Sequence, residues 1–213
     1  MKKNYSYIGI SFIILVFGIW AVPKIIDTLA QEELAYIERH DEKAKVPEFS
    51  FTDQNGKTIT NEDYKGKVYV VEFFFTTCPD ICPIMNENMV KIQDEFFGNP
   101  KVAIASFTID PDHDTPETLK EYAQINGITK PQWHLLTGNR DDIFKLANEG
   151  FNLYVAQVAD DRGGFEHSGF FALIDQEGHI RSRKDENGNP LIYYDGLDLK
   201  KIQMLKEDIK KLL

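Results

Sequence analysis

The feature that most constrains this chain is its only pair of cysteines, Cys78 and Cys82, in the stretch FFFTTCPDICPIM. The residues before them, KVYVVEFFF at 67–75, are apolar, β-branched and aromatic, the pattern of a strand buried on both faces. Pro83 follows Cys82 and suits the first turn of a helix, where its missing N–H costs nothing. The cysteines therefore sit where a buried strand ends and a helix begins. Free N–H groups and the dipole at a helix N-terminus favour anions, which lowers a thiol pKa there. With Cys-x-x-x-Cys spacing, a helical turn between them brings both sulfurs to one face. Two nearby thiolates make a soft chelate suited to Cu(I) or Zn. The same pair can also close a disulfide if its geometry allows.

Two sulfurs leave a metal incompletely coordinated, so a third ligand is sought among the histidines. His167, in the loop GGFEHSG that enters a strand, is the first candidate, and His113, in DPDHD, is the second. His40 stands among charged residues without a metal-spaced partner and reads as surface. Met85 and Met89 lie at helical spacing after Cys82 and read as core, as do Phe73, Phe74 and Phe75.

The remaining order alternates strands and helices. Asn55-Gly56 marks a hairpin, residues 101–109 a second buried strand, and DTPE at 114–117 a helix start. That helix runs to about Asn126, before a short strand at 132–136 and a helix at 140–149 closed by Gly150. Strands at 153–158, 169–175 and 179–183 and an amphipathic helix at 198–213 follow, the last two strands antiparallel about a tight turn. Such alternation predicts βαβ units and a mixed central sheet flanked by helices.

Ahead of this domain, residues 5–22 carry no charge and are apolar on every side. As a helix they extend roughly 27 Å, close to the thickness of a bilayer core. Lys2 and Lys3 place the N-terminus on the cytoplasmic side by the positive-inside rule. The flank lacks a small-x-small cleavage site and no cysteine follows, so an uncleaved anchor is expected rather than a signal peptide or a lipid attachment. The expected organisation is an anchor at 1–23, a charged helical stalk at 24–45 and the domain at 46–213. The net charge of −10 argues against general binding to nucleic acid, which rests on neutralising phosphates.

Four blocks together resemble the Sco/SenC copper chaperones: CPDICP at 78–83, DPDHDTP at 110–116, LTG at 136–138, and His167-Ser168 ahead of FALID at 171–175. The resemblance covers roughly residues 46–213. It implies a thioredoxin-like three-layer fold preceded by a single transmembrane helix. It also implies one copper ion per chain, Cu(I) or Cu(II), held by Cys78, Cys82 and His167. Asp110 is implied as a residue behind the site or facing a partner, and Asp80 as one that tunes the thiolates. The implied function is delivery of copper to the CuA site of cytochrome c oxidase subunit II, with other copper chaperones as further partners. The implied location is the bacterial inner membrane, with the domain facing the periplasm.

A thiol–disulfide oxidoreductase that keeps the subunit II cysteines reduced is the alternative, though thioredoxin-type enzymes use Cys-x-x-Cys. A peroxidase fits less well, since Phe75 stands where peroxiredoxins place Thr. A structural zinc site is disfavoured because three ligands leave a position open.

Overall fold

The computed structural model describes residues 6–157 and 164–213, and the side chains of its first helix at residues 9–22. In chain order, α1 (Ser6–Glu32) leads into β1 (Ala35–Tyr36), β2 (Glu38–Arg39) and β3 (Glu42–Lys43). The hairpin β4 (Ser50–Asp53) and β5 (Thr58–Thr60) precedes the single turn α2 (Asn61–Tyr64). Then come β6 (Val68–Phe74), α3 (Cys82–Glu95), β7 (Val102–Thr108), α4 (Pro116–Ile125) and β8 (Trp133–Thr137). After α5 (Arg140–Lys145) and a π-helical turn (Leu146–Phe151) follow β9 (Val155–Gln157), β10 (Phe165–His167), β11 (Phe170–Ile174), β12 (Ile180–Ser182), β13 (Tyr194–Asp195) and α6 (Leu199–Leu212).

Strands β6 and β7 are buried at all seven positions, as continuous apolar runs at a sheet centre should be. They pair in parallel from Val68 opposite Val102 to Phe74 opposite Thr108, and β8 joins β7 in parallel. Helices α3 and α4 make the two crossovers. Antiparallel strands complete both flanks, giving the order β1-β12-β11-β6-β7-β8-β4-β5 with β13 on β11. Successive side chains of β6 face opposite ways. Phe73 packs on Phe107 and Phe151, and Phe74 packs on Tyr122 of α4. Helical layers therefore lie on both faces of one mixed sheet. Thr115 caps α4 by accepting from the Thr118 N–H, and Asp198 caps α6 by accepting from that of Lys200.

Several elements differ from expectation. Helix α1 does not stop at residue 23 but runs through Pro23 to Glu32. Among the described residues no helix is long and apolar enough to cross a membrane. Of the segment 24–45, expected as a helical stalk, residues 24–32 continue α1 and the part from Leu34 onward packs on the domain. Strand β1 pairs with β12, β2 with β3, and Leu34, Ala44 and Val46 are buried. Charged residues around three spaced apolar anchors give no periodicity, which hid this edge. The turn of the β2–β3 hairpin puts His40 and Asp41 at φ 51° and 64°, without the Asn-Gly pair that marks such turns. The third helix changes to π geometry at Leu146 and ends at left-handed Asn152 (φ 52°), not at Gly150. The glycine-rich loop supplies β10, which pairs only with β9. Val158, the expected end of a strand, and the basic pair Lys2 and Lys3 lie outside the described residues.

Candidate metal centre

The chain leaves the core at the C-terminal end of β6. Phe75 is still buried, Thr76 is half-buried, and Cys78 stands in the turn before α3. Thr76 is tied down by Asp114, a fully buried carboxylate at the far end of the β7–α4 loop. Asp114 accepts from the Thr76 N–H at 3.0 Å and from the hydroxyls of Thr76 and Thr108. The bonds from Thr76 and Thr108 tie the end of β6 to the loop after β7 through that one carboxylate.

Cys82 is the first residue of α3, and its sulfur is buried. Ile81, the residue before it, offers no side-chain cap. The main-chain N–H groups of Asp80 and Cys82 at this helix start favour the charged form of the Cys78 sulfur. The two sulfurs are not bonded to each other. Cys78 is held down to about 4, first by a hydrogen bond from the Cys82 thiol and then, against burial, by His167 and those two N–H groups. Cys82 is pushed up, first because it donates to Cys78 and next because it is buried. One sulfur is poised as thiolate and the other keeps its proton, a division that belongs to the pair.

His167 ends β10 and completes the group. Its Nε2 lies 3.0 Å from the Cys82 sulfur, and the ring stands edge-on to Phe75. Its Nδ1 lies 3.2 Å from the Ser168 carbonyl oxygen. A carbonyl only accepts, so Nδ1 carries a hydrogen, and Nε2 is the ring nitrogen that faces the sulfurs. The donor atoms of Cys78, Cys82 and His167 lie within 4.8 Å of one another, the one such cluster among the described residues. Two sulfurs and an imidazole nitrogen, its ring oriented by the bond from Nδ1 to Ser168, fit a soft or borderline metal such as copper. A cleft of about 230 Å³ opens beside Cys78, walled by Phe75, Pro79, Tyr154 and Phe165.

The other candidates fall outside the ligand group. The Asp80 side chain is exposed, and its nearest service to Cys78 is its main-chain N–H. Asp110 is half-buried and closes its own turn, accepting at its carbonyl from the His113 and Asp114 N–H groups. Its carboxyl is raised by burial and by the charge of Asp114. His113 is bonded to Asp114 at 3.0 Å and faces solvent. Met85 and Met89 are core.

Glu72 is a group that sequence reasoning passed over. It is the one charged residue inside the apolar run of β6, and it is buried. It accepts from the Ser106 hydroxyl at 2.6 Å, and Ser106 in turn accepts from the Trp133 indole N–H at 2.9 Å. Burial raises its carboxyl to about 7. A lone acid in an otherwise apolar strand was the signal that marked it.

Fold and site together define a thioredoxin-like domain bearing two cysteines and a histidine placed to hold a metal. Comparison with known proteins identifies the lineage: the SCO1/SenC family profile matches residues 37–198, and the chain belongs to that family. The SCO1 protein homolog of Bacillus subtilis (strain 168) is 32% identical over 166 residues, covering 76% of this chain and 84% of that protein. The solved structure of BsSco, described as having a disulfide switch and as one of the Sco cytochrome c oxidase assembly proteins, matches at 29% identity and TM-score 0.65. That match covers 79% of this chain and 93% of that one. Bradyrhizobium japonicum ScoI, solved with copper bound, matches at 26% identity and TM-score 0.62, covering 80% of this chain and all of that one.

Proposed function

We propose that this protein is a copper chaperone that receives one copper ion and hands it to the CuA site of cytochrome c oxidase subunit II. The observation that carries the reading is the convergence of the donor atoms of Cys78, Cys82 and His167 within 4.8 Å. Family membership and the copper-bound relative support it. Copper is the cargo. Its arrival displaces the proton that Cys82 keeps, and both sulfurs must be reduced to load it. Cys78 is the more exposed sulfur and borders the cleft, so an incoming partner thiolate exchanges there first. Cys82, buried at the helix start, exchanges last.

The proposed setting is the inner membrane of a bacterium, with residues 1–23 as anchor and the domain in the periplasm. Support comes from the uncharged run at 5–22 and from the exposure of apolar side chains along α1, such as Phe12 at 68% and Ile19 at 69%.

A second reading has its own support. A half-exposed thiolate beside a buried thiol is the arrangement of a dithiol reductant, and BsSco is described as having a disulfide switch. One experiment separates the two. The reduced chain is titrated anaerobically with copper, alongside His167→Ala and the Cys78→Ser/Cys82→Ser double variant. One equivalent per chain, lost in both variants, supports the chaperone. No binding by the wild type, with disulfide exchange intact, promotes the reductase. His167→Ala that abolishes tight binding while leaving thiol exchange intact assigns the imidazole to the metal alone.

A further inference from the structure

The imidazole ligand stands on a ribbon outside the main sheet. Strand β9 pairs only with β10, in the register Gln157–Phe165, Ala156–Glu166 and Val155–His167. His167 is thus directly opposite Val155, and just beyond it the Ser168 N–H donates to the Tyr154 carbonyl. Val155 does not spend its own main-chain groups on β10. Its N–H donates to the Asn148 carboxamide oxygen at 3.3 Å, and its C=O accepts from the Asn148 Nδ2 at 3.1 Å. In an antiparallel ladder the N–H and C=O of one residue point to the same side, so both leave the outer edge of β9. The Asn148 amide occupies that edge as a third strand would.

Asn148 reaches it because it belongs to the π-helical turn Leu146–Phe151. Its Nδ2 also donates to the Phe144 carbonyl at 3.0 Å, which fixes the amide against its own helix. The Val155–His167 pair lacks main-chain bonds between its members, the class of antiparallel pair in which side chains come closest. Holding Val155 at its outer edge therefore holds the strand directly across from the ligand.

We propose that Asn148 is a positioning residue for His167: its carboxamide pairs with the main chain of Val155 and thereby keeps the imidazole Nε2 within reach of Cys82. The inference rests on the copper reading of the site, and the test distinguishes the failure of each.

The full chain is prepared as wild type, Asn148→Ala, His167→Ala and the double variant. Copper release to a competing chelator is followed in each. In the apo proteins, amide exchange at Val155 and Ser168 and the imidazole nitrogen shifts of His167 are followed by NMR. Asn148→Ala is expected to speed copper release about tenfold, the lower end of what loss of a residue behind a metal ligand costs. It is expected to expose the Val155 and Ser168 amides to exchange and to leave the melting temperature of the domain nearly unchanged. In the His167→Ala background the same substitution should change copper release no further. Asn148→Asp, which keeps the acceptor and loses the donor, should fall between. Equal acceleration with and without His167, or none in either, overturns the proposal. If the wild type takes no copper, the metal reading fails instead. The apo measurement then decides alone, and unchanged exchange and imidazole shifts in Asn148→Ala overturn the positioning role.

Discussion

The cysteine turn and the histidine ribbon supply ligands to one centre but are built in different ways. The turn is an outgrowth of the core. It follows directly on the most buried strand pair, is pinned through Thr76 to the buried Asp114, and continues into α3, whose Met85, Met89 and Ile92 are buried beneath the sheet-facing side. Among the described residues the ribbon pairs only with itself. It is held at its outer edge by Asn148, across its face by the packing of Phe165 on Phe75, and outside by Arg140, whose guanidinium donates to Gln157 at 3.1 Å and to Asp112. The two sulfurs thus share the cooperative stability of the domain, while the imidazole depends on a few contacts at an edge, where local opening costs least. For the proposed carrier, the buried Cys82 is the ligand that holds on, and the more exposed Cys78 and the edge-held His167 are the ones that let go.

The largest effect that would test this division is expected at Asp114. Asp114→Ala strands the Thr76 N–H and the Thr108 hydroxyl in a dry site and should cost about 3 kcal/mol of stability. Urea unfolding of the apo chain measures it, and because Thr76 lies two residues before Cys78, the copper spectrum should change with it.

Next in size is the pH dependence set by Glu72, which lies beneath the site and feels the charge of His167. Its folded pKa is raised from 4.5 to about 7, so folding favours the protonated acid. Below 4.5 both states hold the proton and nothing is lost. Between 4.5 and about 7 the unfolded chain ionises first, so stability falls as pH rises, by about 3 kcal/mol in all. Glu72→Gln should flatten that slope in apo-protein unfolding between pH 4.5 and 8. A slope that survives the substitution assigns it to another group.

The smallest change in stability belongs to the ribbon. Arg140→Ala removes a partly exposed ion pair with Asp112, the bond to Gln157 and the cation–π contact with Phe165, 5.7 Å from the ring centroid. It should cost under about 1 kcal/mol of stability, yet speed copper release. If it destabilises the fold as much as Asp114→Ala, the ribbon is part of the core and the contrast fails.

Much of this was legible in the chain itself, and the limits are equally physical. Strands β6, β7 and β8 and helices α4 and α6 stand within a residue or two of expectation, because buried runs, Thr-Pro and Asp caps and turn glycines are local signals. The cysteine turn was legible for the same reason: its two cysteines stand only four positions apart. Strand β9 falls within the strand expected at 153–158, but its pairing with β10, the edge strand β1 and the π-helical turn were not legible. Their residues carry no period of their own, and β1 finds its partner β12 far along the chain. Asp114 read as part of a helix start, whereas its burial arises only when the end of β6 meets the loop after β7.

The amino-acid order by itself supplied the candidate ligands, two cysteines four positions apart and a short list of histidines, because thiolate and imidazole chemistry resides in the side chains. Only the tertiary structure decided that His167, 85 residues from Cys82, brings Nε2 to 3.0 Å from its sulfur with the other ring nitrogen already protonated. That placement depends on backbone pairing between distant segments, and non-local hydrogen bonds leave no mark on the residues that make them.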